Sequence, residues 1–392
     1  MNRKVHMIRI EKALTQLVPS DLYMIGAPKD VLFFDIETTG LSARSAGLYL
    51  IGVLAYTDKS WTLLQFFCED VADEPAVLQA FFELLHTKKI LVSYNGDGFD
   101  IPFLRHMLEQ YGLPYSFDAV ESFDLFKKFR PLKRLLGLPD LKLKSCERFL
   151  GIDREDRFTG GELIEIYFEW QKTKAPALLD TLLLHNAEDI ANLPNLLPLL
   201  RYRALPHSDF QLRAHERLQD GATPLVHLSF TLLPPMSPSA HAPAESDDRE
   251  VTDARRPHCP EHALPQPMDL RGDFWALHAE GCAVELYVQL FEGERKLFFA
   301  DFENYYYLPA EDQVIHQSLA EFVDRSARKK ACARNCYQRV TGCFLPECSE
   351  VYTPALQAEY RDKLRYAQYS DALFDDEAKA VTYLKSFLDT AL

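Results

Sequence analysis

Hydrophobic positions along this chain fall into short continuous runs and longer periodic ones, and the two kinds predict different elements. Residues 31–35, VLFFD, are apolar without interruption and end in an acid, the pattern of a strand buried on both faces. A second run, LYLIGVLAY at 48–56, follows a turn bearing Gly and Ser, and a third, WTLLQFF at 61–67, follows the polar turn Asp58-Lys59-Ser60. Three runs at this spacing predict an antiparallel meander. Helical periodicity sets in at EPAVLQAFFELLH, yields to the buried strand ILVSY at 90–94, and resumes near Pro102. Further helices are expected at LKSCERFLG, GGELIEIYFEWQK and APALLDTLLLHNAEDIANLPNLLPLL. The fold class is therefore α/β, a mixed sheet flanked by helices.

Residues 233–269 are crowded with Pro, Ser, Ala and charge and carry no period, which reads as a linker or disordered segment. Beyond it, ELYVQLF and RKLFFADF flank Glu292-Gly293-Glu294 and predict a hairpin, followed by two or three amphipathic helices ending in DEAKAVTYLKSFLDTAL. The expected organisation is an N-terminal extension (1–30), an α/β domain (31–204), a connector (205–270) that contains the linker, and a small α+β domain (271–392).

Composition narrows the function classes. A chain of 392 residues is too long for one typical core, in keeping with two domains. Charges interrupt the apolar residues of the N-terminus, MNRKVHMIRIEKALTQL, and no apolar stretch approaches the roughly 20 residues a bilayer span needs. The expectation is no membrane and a cytoplasmic location. Eight cysteines without an export signal read as reduced thiols. The net charge of -15 is awkward for a nucleic-acid binder unless a basic strip is locally concentrated.

Candidate chemistry lies in three acidic clusters. Asp35 and Glu37, two apart at the end of a buried strand, point to one face of the sheet. Asp100 closes SYNGDGFD, where a strand ends and a helix begins, a position equally suited to a helix cap. Asn95 stands nearby to position a substrate. His185 and Asp189 are four apart on an expected helix and share a face. Carboxylates drawn from separate segments repel one another and resist desolvation unless a cation neutralises them. With an imidazole titrating near neutral pH among them, the set reads as a metal-dependent hydrolase.

Taken together, FDIETTGL, LVSYNGDGFDIPFL, FDLFKKFR, LKLKSCERFLGIDREDRFTGGELIEIYFEW and HNAEDIANL resemble the DEDD exonuclease superfamily, and within it the YprB-like branch, over roughly residues 30–203. The resemblance implies a ribonuclease H-like fold and a 3′-to-5′ exonuclease acting on single strands or 3′ ends of DNA or RNA. It implies two divalent cations, Mg²⁺ or Mn²⁺, held by Asp35, Glu37, Asp100 and Asp189, with His185 as base. It also implies that Thr38, Thr39, Gly40 and Leu41 hold the terminal nucleotide. One spacing departs from the pattern. Three residues separate His185 from Asp189, as in the superfamily's Tyr subgroup, whereas the His subgroup has four. Two other classes fit the same residues, a ribonuclease H-like endonuclease and a non-catalytic nucleic-acid-binding or scaffold protein.

Lys127, Lys128 and Arg130 open a basic strip that runs through Lys133, Arg134 and Lys142 to Lys144 against only Asp140. It is either a phosphate-tracking surface or a solvated face. Asp124 reads as a helix cap. Cys332, Cys336, Cys343 and Cys348 lack paired C-x-x-C spacing, so thiols are favoured over zinc. His258, Cys259 and His262 fall in the linker and are read as chance. Tyr305-Tyr306-Tyr307 is expected to enter the core. Arg325, Arg328, Lys329, Lys330 and Arg334 either contact nucleic acid or complement a helix C-terminus.

Overall fold

The computed structural model describes residues 7–221, 223–235 and 262–391. The chain divides into two compact units, Met1–Tyr202 and Arg203–Leu392. Among the described residues no helix is long and apolar enough to cross a membrane.

The first unit is built on one six-stranded sheet. Its strands are β1 (Met7–Leu14), β2 (Val31–Thr38), β3 (Leu48–Thr57), β4 (Ser60–Cys68), β5 (Ile90–Ser93) and β6 (Glu121–Asp124), in the order β1-β4-β3-β2-β5-β6. β1 through β4 pair antiparallel, and β5 and β6 run parallel to β2. The expected meander and buried strands are present. The expected extension at 1–30 differs, because β1 pairs along its whole length with β4 and forms the sheet edge. Its alternating sequence, MIRIEKAL, exposes Arg9, Glu11 and Lys12, and charges of this kind protect an edge strand.

Each face of the sheet is covered by helices. Leu32, Phe34, Ile36, Ile51 and Val53 pack with α1 (Glu74–Leu85) and α2 (Asp100–Tyr111). Between β6 and the later helices lie the short helices α3 (Leu125–Phe129), α4 (Leu132–Leu135) and α5 (Leu143–Phe149). On the other face Tyr49, Leu50 and Phe67 pack with α6 (Gly160–Thr173) and α7 (Pro176–Asn192). The period of two along β2 thus sends Leu32, Phe34 and Ile36 to one side and Asp35 and Glu37 to the α7 side. Thr159 and Glu162 form a capping box at the start of α6, worth about 1 kcal/mol. Pro176 opens α7 at a position where a missing N–H costs nothing.

A glycine sets how closely α7 approaches the sheet. Gly52 on β3 lies opposite Asp35 on β2 and Gln65 on β4. A Cβ there would stand 2.0 Å from Asn186 Oδ1 and 2.1 Å from Ile190 Cδ1. Asn186 lies across this gap, donating to Asp35 Oδ2 (3.1 Å) and accepting from Gln65 Nε2 (3.0 Å). The helix that carries His185 and Asp189 is therefore seated against the strand that faces Asp35.

A short helix, α8 (Leu200–Ala204), leads into the second unit. Residues 205–232, expected as connector, instead form β7 (Phe210–Asp220) and β8 (Thr223–Leu232). They join β9 (Met268–Arg271), β10 (Trp275–Glu280) and β11 (Ala283–Gln289) in an antiparallel sheet ordered β7-β8-β11-β10-β9. Of the expected linker, 236–261, with His258 and Cys259, lies outside the described residues, while Met268 and Asp269 already belong to β9. The expected hairpin does not form. Glu292-Gly293-Glu294 lies inside β12 (Phe291–Phe298), where Gly293, at φ 136°, lets the chain run on rather than turn. β12 pairs with β16 (Tyr337–Glu347), which pairs with β17 (Arg365–Gln368). A third sheet, ordered β14-β13-β15, contains β13 (Tyr305–Leu308), β14 (Gln313–His316) and β15 (Lys329–Lys330). The helices expected in this region reduce to one long helix, α9 (Glu377–Ala391), which buries Tyr383, Leu384 and Phe387.

Gly52→Ala is expected to destabilise the protein by about 1–3 kcal/mol through overpacking beneath Asn186 and Ile190. Gly161→Ala, where a Cβ meets nothing within 4 Å, should be neutral or stabilising. Equal stability of the Gly52→Ala and wild-type proteins in denaturant titration would contradict the close seating of α7.

Candidate metal and nucleic-acid site

Three elements bring the acids together. Asp35 and Glu37 leave the C-terminal end of β2, where a register irregularity between Glu37 and Thr38 turns the strand away. Asp100 begins α2, just past the C-terminal end of β5, and His185 and Asp189 stand one turn apart on α7. Asp100 is not an N-cap, as Phe99 holds that place. Its Oδ1 accepts instead from Ile36 N at 3.1 Å, tying α2 to β2 between the two acids of that strand. One ligand atom from each of Glu37, His185 and Asp189 lies within 4.8 Å of the others. His185 Nε2 is 3.7 Å from Glu37 Oε1 and 3.5 Å from Asp189 Oδ2.

Charge in this cluster is poorly compensated. Burial, followed by the charges of Asp100, Glu37 and Asp189, pushes the Asp35 carboxyl well above its ordinary range. Burial and Asp189 do the same to Glu37, against the hydrogen bond it accepts from Tyr49 Oη (3.3 Å). Burial raises Asp100 to about 7, although backbone N–H donors oppose the shift. Asp35 and Asp100 close no ion pair among the described residues. Buried and half-buried oxygen donors with excess negative charge suit hard divalent cations, so these residues fit such ions.

A second layer of side chains fixes the first, and the sequence alone did not reveal it. His185 Nδ1 is 2.8 Å from Asp156 Oδ2, so the ring turns Nε2 toward Glu37 and Asp189. Burial works to raise Asp156, but the hydrogen bond from Lys144 and the facing His185 outweigh it, and the carboxyl lies below its ordinary value. Arg154, 7 % exposed, ion-pairs Glu147 (3.1 Å), Glu188 (3.4 Å), Asp156 (3.5 Å) and Asp189. Its partners come from α5, the following loop and α7, so spacing along the chain gave no cue beyond the motif GIDREDRFTGG.

The expected nucleotide contacts sort differently. Thr38 Oγ1 donates to Gly40 O (2.8 Å) and Thr39 Oγ1 accepts from Gly47 N (2.8 Å), so both hydroxyls brace the connection between β2 and β3. Leu41 is 88 % exposed. Asn95 has left-handed backbone (φ 66°) and an exposed side chain. Asp124 holds its loop, accepting from Asn95 N and Asp97 N while also capping α3 through Phe126 N. Lys127 is bound to Asp97 (2.6 Å) and Lys128 lies over the Phe123 ring (4.7 Å). Arg130, with Lys133 and Arg134, borders a cavity of about 540 Å³ with an apolar wall of Phe126, Leu138 and Leu141.

Residues 32–201 match the RNase_H_2 family model, of the RNase_H superfamily. No curated protein matches the chain. Among solved structures, the chain is similar to the family B DNA polymerase of Pyrobaculum calidifontis, with 19% identity, TM-score 0.36, 46% of this chain and 25% of that one covered. It is also similar to E. coli ExoI in a complex with ssDNA, with 14% identity, TM-score 0.26, 51% of this chain and 54% of that one. The chain thus spans about a quarter of the polymerase and about half of ExoI. The first unit, a mixed sheet flanked by helices, has a ribonuclease H-like fold.

Proposed function

We propose that this protein is a metal-dependent 3′-to-5′ exonuclease acting on single strands or 3′ ends of DNA or RNA. The observation that carries the reading is the cluster of Glu37 and Asp189 at the Nε2 of an oriented His185, with Asp35 two residues before Glu37 on β2 and Asp100 bound to Ile36 N between those two acids. Asp35, Glu37, Asp100 and Asp189 would hold two divalent cations, Mg²⁺ or Mn²⁺, which acidify water and offset charge on a phosphodiester. His185 takes the proton from the attacking water at Nε2 while Asp156 holds Nδ1, the division of labour by which a carboxylate orients a histidine base. Glu188 and Glu147 keep Arg154 in place, and Arg154 fixes the rotamer of Asp189. The exposure of Leu41, four residues beyond Glu37, supports its contact with the terminal base, and Arg130 supports a phosphate of the trailing strand.

Asp35→Asn or Asp189→Asn should lower Mg²⁺- or Mn²⁺-dependent release of mononucleotides from an end-labelled single strand at least about a hundredfold. Undiminished release would refute the site, and a closed circular strand cut as fast as a linear one would favour the endonuclease. Asp156→Asn should lower kcat about a hundredfold with KM little changed. A kcat against pH profile unaltered by His185→Gln would remove that residue from proton transfer.

Folding stability supplies an independent check. Asp100 ionises near 3.8 in the unfolded chain and at about 7 in the folded one. The unfolded chain therefore ionises first, and folding stability falls as pH rises across that interval. With chelator at about pH 8, Asp100→Asn should melt higher than wild type. Added Mg²⁺ or Mn²⁺ should raise the wild-type Tm more than that of the variant. A wild-type Tm indifferent to both cations would contradict the metal assignment.

A further inference from the structure

The second unit carries a concentration of charge that the proposed reaction does not use. Residues 325–334, RSARKKACAR, contain five basic side chains and no acid in a chain of net charge -15. A helix C-terminus would have accounted for them, but this stretch is a short turn followed by β15. None of the five closes an ion pair among the described residues. The adjacent acid, Asp324, turns its carboxylate onto the N–H and hydroxyl of Ser326.

Two of these cations flank one aromatic ring. Tyr306 pairs with Lys330 across β13 and β15, and Arg328, two residues earlier, lies on the same face. The guanidinium of Arg328 is 5.0 Å and the ammonium of Lys330 4.8 Å from the Tyr306 ring centroid. The neighbouring tyrosines are committed elsewhere, Tyr305 stacking on Phe299 and Tyr307 donating to Asp312. In the turn between β14 and β15, Phe322 is 78% and Leu319 55% exposed. Lys330 Nζ donates to Glu303 O (3.0 Å), but cations that close no ion pair, two of them on a tyrosine ring, with exposed apolar side chains in the preceding turn match one chemical class of partner, an anionic chain that also offers unpaired planar rings.

We propose that this surface of the second unit, centred on Tyr306, Arg328, Lys330 and Phe322, binds single-stranded nucleic acid. Arg328 and Lys330 take backbone phosphates, and Phe322 takes the face of a base. A duplex satisfies the charges but withholds its base faces, and an anionic membrane offers charge without rings. The surface is independent of cleavage by the first unit and is tested with chelator present.

The test is fluorescence anisotropy of the full chain in EDTA against labelled oligothymidylate and oligouridylate of about 20 nucleotides, matched duplex, and phosphatidylserine vesicles. Arg328→Gln/Lys330→Gln should weaken single-strand binding about tenfold and flatten the slope of log affinity against log salt by about 1.4. Phe322→Ser should weaken it by about tenfold with the slope unchanged. The charge-matched Lys363→Gln/Lys379→Gln protein should bind as wild type. Hydrogen exchange of the wild-type chain should slow at 328–330 when oligonucleotide is added. Wild-type affinity and salt slope in the Arg328→Gln/Lys330→Gln protein, no protection of β15, or duplex or vesicles bound as tightly as the single strand would each overturn the proposal.

Discussion

The seating of α7 on β3 at Gly52 is the constraint on which the first unit's site depends. Because no side chain intervenes, Asn186 bridges Asp35 and Gln65 directly, and the residues one position before and three after it, His185 and Asp189, share the space in front of Glu37. A larger residue at position 52 would lift the helix and separate acids that are 154 positions apart in the chain. The hydrophobic packing of Tyr49, Tyr167, Trp170 and Leu182 around this seat supplies the free energy that holds the arrangement against carboxylate repulsion.

That repulsion is the cost of the site. Asp35, Glu37 and Asp100 are all pushed upward chiefly by burial, and of these three and Asp189, among the described residues, only Asp189 has a guanidinium, that of Arg154, directly on it. Arg154 is placed where it fixes one carboxylate without neutralising the cluster. Asp156 performs the corresponding task for His185. Buried acids elsewhere in this chain are also pushed upward by burial but find hydrogen-bond donors. Glu74, for example, is buried but spends its oxygens on Leu48 N and Tyr111 Oη, which accounts for its charge without a cation.

Much of this was legible in the sequence where a local pattern controlled the outcome. The uninterrupted VLFF run marked a central strand, and the two-residue spacing of Asp35 and Glu37 marked their common face. The four-residue spacing of His185 and Asp189 placed both on one side of α7. What escaped was set by distant contacts. Arg154 and Asp156 sit in a loop whose meaning comes from α5 and α7. Nothing local marks Gly52 as the point where a helix touches down. In the second unit Glu292-Gly293-Glu294 has turn composition, yet pairing with β16 keeps it extended. The basic run at 325–334 has helix-compatible composition, yet it makes a short turn and then pairs Lys329–Lys330 with β13, a case of tertiary pairing overriding propensity.

The central claim is that buried, partly protonated carboxylates await divalent cations. Binding of such ions must then expel protons. The direct measurement is calorimetric titration of the chelator-stripped protein with Mn²⁺ at about pH 6.5 in buffers of different ionisation enthalpy. The account predicts that the observed heat varies with buffer, in proportion to protons released from the site. Tight binding with the same heat in every buffer, or no binding at millimolar Mn²⁺, would contradict it.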